Sequence, residues 1–210
     1  MSYVSPFEYA GAGPSNDEAG HRLSLKLTRI VLSLPSVHSI CDLGCGNGYL
    51  AGLLLGKGYS VVGVDASETG ITVARNAYGQ SAEFVCARLD AELPARLGRR
   101  FDAVVSSDVI EHLYRPLDLI ECARSVLRPD GWLVIGTPYH GYVKNLALAL
   151  LNRWDEHHSV DWDGGHIKFF SVKTLSQMVS AGGFTVQRFE FFGRAPWIWK
   201  NMICVAQRRE

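Results

Sequence analysis

Residues 40–48 read Ile-Cys-Asp-Leu-Gly-Cys-Gly-Asn-Gly, an apolar run that breaks into glycine at positions 44, 46 and 48. Glycines there let the backbone approach a bound molecule closely. Where such a loop joins a strand to a helix, it sits at the carboxyl edge of the sheet, the edge at which open α/β folds bind ligands. Two ligand chemistries use that edge. A dinucleotide sets its pyrophosphate on the helix N-terminus and asks for GxGxxG. Here Tyr49 stands at the third glycine position, and the carboxylate of Asp42 beside the loop would repel a phosphate. S-adenosylmethionine carries a sulfonium and an ammonium and no phosphate, so the same carboxylate favours it.

Two further strand ends agree. Asp65 comes twenty-one residues after Gly44, where a carboxylate can take both ribose hydroxyls. Leu89 and Asp90 follow the next strand, an apolar side chain to cover adenine and an acid to accept from its amino group. Taken singly, the glycines could serve only a tight turn and Asp65 only a helix cap. Three matching features at three successive strand ends are harder to obtain without a ligand. Elsewhere, Asp108, Glu111 and His112 fall at i, i+3 and i+4, which on a helix share one face and could hold a divalent ion. The simpler reading is an acid-rich first helical turn that suits the helix dipole. Four of the seven histidines, His140, His157, His158 and His166, lie within twenty-seven residues, where even spreading would put about one.

The elements that must position these residues alternate. After turn-rich sequence around Gly11–Ser15, Leu23, Leu27, Ile30, Val31 and Leu34 recur at helical spacing until Pro35. Strands are expected at 37–43, 60–64, 82–87, 101–106 and 132–136, and helices at 47–57, from Ser67 to about residue 78, and at 117–127. A Pro129-Asp130-Gly131 turn precedes the fifth strand. Such alternation means a parallel sheet with helices on both faces. After a helix at 172–181, strands at 184–192 and 198–207 are joined by five residues, too few for a parallel crossover, so they should pair antiparallel. Residues 139–170 form a connection longer than usual, with Trp154, Trp162 and Tyr142 among the histidines, and read as a cap over an acceptor. The expected organisation is a helical segment at 1–35 and one domain at 36–210 that carries this cap.

Hydrophobic residues at 47% and charged ones at 20% exclude a disordered, collagenous or coiled-coil chain. Twenty-one basic and twenty-one acidic side chains cancel, which argues against nucleic acid or an anionic membrane as main partner. The apolar stretch 146–151 is far shorter than a membrane span, and no secretory signal is visible, so a cytoplasmic location is expected. Five cysteines, with no CxxC pair, indicate neither a disulfide framework nor a zinc knuckle.

With these residues in place, the chain resembles a class I S-adenosylmethionine-dependent methyltransferase. Asp42-Leu43-Gly44-Cys45-Gly46-Asn47-Gly48 is similar to that family's first motif, and Val62-Gly63-Val64-Asp65 to its second. Phe101-Asp102-Ala103-Val104-Val105 resembles its fourth strand, and Leu127-Arg128-Pro129-Asp130-Gly131-Trp132-Leu133 the turn into its fifth. Ser107-Asp108-Val109-Ile110-Glu111-His112 is similar to the E-x-x-E-H segment of the ubiquinone-biosynthesis O-methyltransferases, with Asp108 for the first Glu, and Gly165-His166-Ile167-Lys168-Phe169-Phe170 resembles their His-before-Lys-Phe segment. The resemblance implies a Rossmann-like, doubly wound, mostly parallel seven-stranded sheet with an antiparallel C-terminal hairpin. It also implies that Asp42, Gly44, Cys45, Gly46, Asp65, Ala66, Leu89, Asp90 and Ser107 hold S-adenosylmethionine and its product S-adenosylhomocysteine (SAH). A divalent cation is implied at Asp108, Glu111 and His112.

Methyl transfer from a sulfonium is an in-line displacement, which the protein serves mainly by alignment. A hydroxyl acceptor also gains from a nearby base. His166, after two glycines, is the first expectation for that base and His112 the second; Tyr139, His140, Trp162 and His166 are expected to meet the acceptor. The expected activity is O-methylation of a small phenol, quinol or sugar, with N- or C-methylation, or a non-catalytic cofactor-binding role, as alternatives. Neither the acceptor nor the oligomeric state is legible.

Overall fold

A computed structural model describes Tyr9 and residues 13–158 and 164–209. Within it the chain alternates as expected. Helix α1 (Glu18–Leu32) starts where the Asp17 carboxylate accepts the Gly20 N–H at 2.6 Å. Then come β1 (Ser39–Leu43), α2 (Tyr49–Leu55), β2 (Ser60–Asp65), α3 (Glu68–Tyr78) and β3 (Glu83–Cys86). A short helix that the sequence pattern did not announce, α4 (Leu93–Leu97), precedes β4 (Phe101–Ser107). After a 3-10 turn (Ile110–His112) follow α5 (Leu117–Val126) and β5 (Leu127–Pro138). The cap holds α6 (Tyr142–Leu150) and α7 (Trp154–His157), and α8 (Val172–Ala181), β6 (Phe184–Phe192) and β7 (Asn201–Arg208) end the fold.

Seven strands form one sheet in the order β3-β2-β1-β4-β5-β7-β6. The first five run parallel, and β7 inserts between β5 and β6, antiparallel to both. Strand β1 shows why both faces are covered. Ile40 packs with Leu27, Leu54 and Ile71 on one side, whereas Cys41 faces Leu119, Ile120 and Val126 on the other. Successive strand residues point to opposite faces, so an unbroken apolar strand demands helices on each. Helix α1 belongs to this core: Leu23, Leu27 and Val31 are fully buried against it. Among the described residues no helix is long and apolar enough to cross a membrane.

Three local expectations change. The 129–131 turn lies inside β5 as a bulge, because Leu127 pairs with Phe101 and Trp132 with Ala103, leaving four residues to loop past Asp102, with Asp130 at φ 58°. The last strand begins at Asn201 rather than 198, since Pro196 offers no N–H and Trp197 turns left-handed at φ 69°. Only Ile110–His112 is helical around the acidic triplet, and Asp108 sits outside it at φ 52°. The three side chains therefore do not share a helix face by α-helical spacing.

Leu27→Ala would leave a cavity between α1 and the sheet and should cost ~2–5 kcal/mol in denaturant unfolding. A midpoint close to that of the parent chain would show that α1 is not part of the cooperative core.

Candidate functional site

The loop after β1 is built by its neighbours. The N–H groups of Gly44 and Cys45 both donate to the Val64 carbonyl, at 2.8 and 3.0 Å, which clips the loop to the end of β2. Asp65 completes the clip, accepting the Gly46 N–H at 2.8 Å and the Ser67 N–H at 2.7 Å. Gly44 is left-handed at φ 83° with the Val109 side chain where a Cβ would stand. Gly48, at φ 81°, starts α2 with the Ala74 methyl 2.8 Å from its own missing Cβ. Any larger residue at either position would force the strand–helix turn open.

Around this loop lies a cavity of ≈ 650 Å³, lined by the carboxyl ends of four strands. Asp42, Gly44, Cys45 and Gly46 come from β1 and its loop, Asp65 and Ala66 from β2, Leu89 from beyond β3, and Ser107 and Asp108 from β4. Cys45 is buried, its sulfur against the space beside Gly63. Asp90 is placed differently. Its carboxylate accepts the Glu92 N–H at 2.9 Å, and it lines a shallow adjoining recess with Arg88 and Arg96 rather than the cavity.

The charge state of the floor follows from burial. Asp42 is 1% exposed, and its Oδ2 has no hydrogen-bond partner among the described residues. Burial, with Asp65 nearby, pushes its carboxyl up to about 8. Burial raises Asp65 too, against the pull of the Ser67, Gly46 and Ala66 N–H groups. A second acid pair stands behind the mouth: burial takes Asp108 up to about 7, and burial and then the Asp108 charge raise Glu111 further. Glu111 accepts from the Thr137 hydroxyl at 2.9 Å through Oε2, while Oε1 lacks a partner among the described residues.

The glycine-rich segment before α8 is pinned to this pair. The Ile167 and Lys168 N–H groups both donate to the Glu111 carbonyl at 3.0 Å, and the His112 ring donates through Nδ1 to the Gly165 carbonyl at 3.2 Å. The His166 ring thereby meets His112 edge to face, with centroids 4.8 Å apart. His112, Gly164, Gly165 and Ile167 line the cavity, with His166 between the last two in the chain. Burial lowers His112, and burial with the His112 charge lowers His166 to about 4, so both imidazoles are neutral at pH 7. The donor atoms of Glu111, His112 and His166 lie within 4.8 Å of one another. This grouping includes His166 and leaves out Asp108.

The other expected acceptor residues go elsewhere. Tyr139 is buried between Phe191 and Trp199, with centroids 5.6 and 5.5 Å away. His140 turns toward His157 and His158, and these two, though adjacent, both reach it. Trp162 lies outside the described residues. Sequence reasoning missed Tyr9, whose ring covers Gly46 and Gly70 and whose hydroxyl is raised by burial and by Asp65. A lone tyrosine in turn-rich sequence carried no signal for that.

Residues 16–188 match the family described as Methyltransferase domain. The chain belongs to the methyltransferase domain family. Its relatives include a ubiquinone biosynthesis O-methyltransferase of Roseobacter denitrificans, 33% identical over 169 residues that cover 77% of this chain and 66% of that protein. The chain thus spans just under two thirds of that relative's length. Among solved structures, an O-methyltransferase family protein from Burkholderia thailandensis superposes with a TM-score of 0.70 at 21% identity, over 92% of this chain and 58% of that one. Magnesium protoporphyrin IX methyltransferase from Synechocystis PCC 6803, solved with bound SAH, gives 0.67 at 22% identity over 94% and 90%. At these identities the structural likeness establishes a shared fold, which the methyltransferase domain has in full, antiparallel β7 included.

An aspartate carboxyl ionises near 4 in an unfolded chain, and Asp42 near about 8 in the folded domain, so the folded state holds an extra proton between those values. The contribution of Asp42 to the stability of the ligand-free protein should therefore fall as pH rises from about 4 to about 8. Asp42→Asn, nearly isosteric and uncharged, should show a shallower fall in denaturant midpoints over that window. The remaining slope comes from Asp65, Asp108 and Glu111, which act the same way, and from His112, His140, His157, His158 and His166, whose lowered values act in the opposite sense below 6.5. Parallel profiles for the two proteins would mean that Asp42 is not a buried titrating group.

Proposed function

We propose that this protein transfers a methyl group from S-adenosylmethionine to an oxygen of a small-molecule acceptor. One observation carries the reading: the buried Asp42 carboxyl on the cavity floor, its Oδ2 without a partner among the described residues and its proton held on by burial, is a group that a cationic ligand would ionise and pair with. When bound, the sulfonium supplies an activated methyl group, whose carbon–sulfur bond breaks as the carbon–oxygen bond forms. Asp42 faces the positive charge, Asp65 accepts from the ribose, and Leu89 covers the base. Gly44 and Gly46 let the backbone come close. Oxygen is favoured by the relative's O-methyltransferase name and by the neutral imidazole pair of His112 and His166. His166 takes the hydroxyl proton at a ring nitrogen, and His112 holds that ring in place. In place of that base role, Glu111, His112 and His166 fit a divalent ion, which would use the one free lone pair of the His166 ring, since Glu111 Oε1 has no partner among the described residues and the donor atoms converge. Such an ion would orient and acidify the hydroxyl.

Calorimetric titration with SAH, with NADH as control, tests the cofactor. SAH should bind, NADH should not, and Asp65→Ala should weaken SAH by ~1.5–3 kcal/mol through loss of a charge-assisted hydrogen bond. Binding of NADH in place of SAH would overturn the reading. His166→Ala tests the base: turnover should drop ~10²–10⁴-fold while SAH affinity stays nearly unchanged. Turnover that survives would shift the acceptor atom to nitrogen or carbon, where no strong base is needed.

A further inference from the structure

The cap carries a second group of imidazoles away from the cavity lining. His140 follows the end of β5, and His157 and His158 close α7. Their ring centroids lie 5.8 Å (His140–His157), 5.7 Å (His140–His158) and 4.9 Å (His157–His158) apart. One ring nitrogen from each falls within 4.8 Å of the others. Phe169 packs edge-on against His140 and His158 at 5.0 and 4.8 Å, and Trp154 leans on His158 at 4.4 Å. The backbone also fixes the group, since the His140 N–H donates to the Phe170 carbonyl at 2.9 Å.

Three polar rings gathered against aromatic carbon are a costly arrangement unless their nitrogens find partners. Nε2 of His158 is sequestered and has none among the described residues. Protonation does not rescue the group. Burial, then the Lys144 charge, lowers His140 to about 3 and His157 to about 4, and lowers His158 as well. Each ring thus keeps a free lone pair at neutral pH, the form that binds a metal.

We propose that His140, His157 and His158 form a binding site for a divalent late first-row transition ion, zinc foremost, which clamps α7 to the end of β5. All three ligands are imidazole nitrogen, which suits Zn²⁺, Ni²⁺ or Cu²⁺ and not Mg²⁺ or Ca²⁺, whose sites are built of oxygen. Lys144, its Nζ donating to the Tyr139 carbonyl at 2.7 Å, and Arg194 both act on the group with positive charge. That charge penalises any ion held by electrostatics alone and leaves the advantage to one bonded strongly by nitrogen. Three ligands leave a fourth tetrahedral position open for water. The site does not depend on methyl transfer. His157 feels the charge of His166, and His166 that of His158, so the test must separate this group from Glu111, His112 and His166.

Full-length protein without a polyhistidine tag, stripped with chelator, would be titrated with Co²⁺ as a spectroscopic stand-in for Zn²⁺. A visible d–d absorption should develop, be displaced by Zn²⁺ and be unaffected by Mg²⁺. It should disappear in the His157→Ala/His158→Ala double variant and persist in His112→Ala/His166→Ala. Zn²⁺ should raise the melting temperature of the parent protein and not that of the first variant. If the double variant does not fold, His158→Gln alone should weaken Co²⁺ at least ~10-fold. No absorption in the parent protein, absorption that survives loss of His157 and His158, or unchanged affinity in His158→Gln would overturn the site.

Discussion

Acid buried at the carboxyl edge of the sheet is the constraint around which this structure is arranged. Asp42 and Asp65 end adjacent parallel strands, and Asp108 and Glu111 follow the next strand over. All four are raised by burial, and two of them keep an oxygen without a partner among the described residues. A fold does not hold such groups for stability, because each costs desolvation, which a nearby lysine, Lys200, partly offsets for Asp108. The cost is recovered when something outside the chain supplies positive charge or hydrogen-bond donors. Asp65 shows the division of labour. Its two bonds to backbone N–H groups hold the glycine loop against β2, and a carboxylate has lone pairs left after accepting them.

Topology explains why the acids and the cavity coincide. In the order β3-β2-β1-β4-β5 the chain winds outward from β1 in one direction and then restarts at β4 in the other. The loops after β1 and β4 therefore diverge, and a crevice opens between them. Val109, just past β4, leans across it onto Gly44, which is why glycine is required there. The same loop continues into the 3-10 turn, whose Glu111 carbonyl captures two N–H groups of the segment before α8. One short turn thus links the glycine-loop side of the crevice to His112 and His166, and the two halves of the site are positioned by a single piece of backbone.

Most of the fold was legible because it is written in local signals: β-branched strands, glycine breaks, and a terminal pair of strands too close for a crossover. The lining of the cavity was legible for the same reason, since Asp42, Gly44, Asp65 and Leu89 each lie at or just beyond a strand end that the pattern locates. Asp90 lies outside that lining, because its neighbour Glu92 offers an N–H two residues on and the side chain closes a local turn. The metal-binding expectation assumed an α-helix through Asp108, Glu111 and His112. The left-handed backbone at Asp108 breaks that spacing and lets His166, fifty-four residues beyond His112, complete the group. Tyr9 and Tyr139 were missed in opposite senses: one enters the cavity from a segment without periodicity, the other leaves it for an aromatic stack with Phe191 and Trp199. Tertiary contacts of that kind leave no trace in spacing.

The histidine-rich cap separates into two chemistries that composition alone could not distinguish. His112 and His166 gather with the Glu111 carboxyl, so a cation arriving there meets an oxygen ligand beside two nitrogens, even though Lys144 and His158 also act on His166 with positive charge. His140, His157 and His158 stand beside Lys144 and Arg194, and a proton arriving there meets only more positive charge. What remains available to the second group is lone-pair donation to something that bonds to nitrogen more strongly than a proton does in that field. The two groups thus differ in their ligand atoms, three ring nitrogens in one and two with a buried carboxylate oxygen in the other, more than in the number of imidazoles.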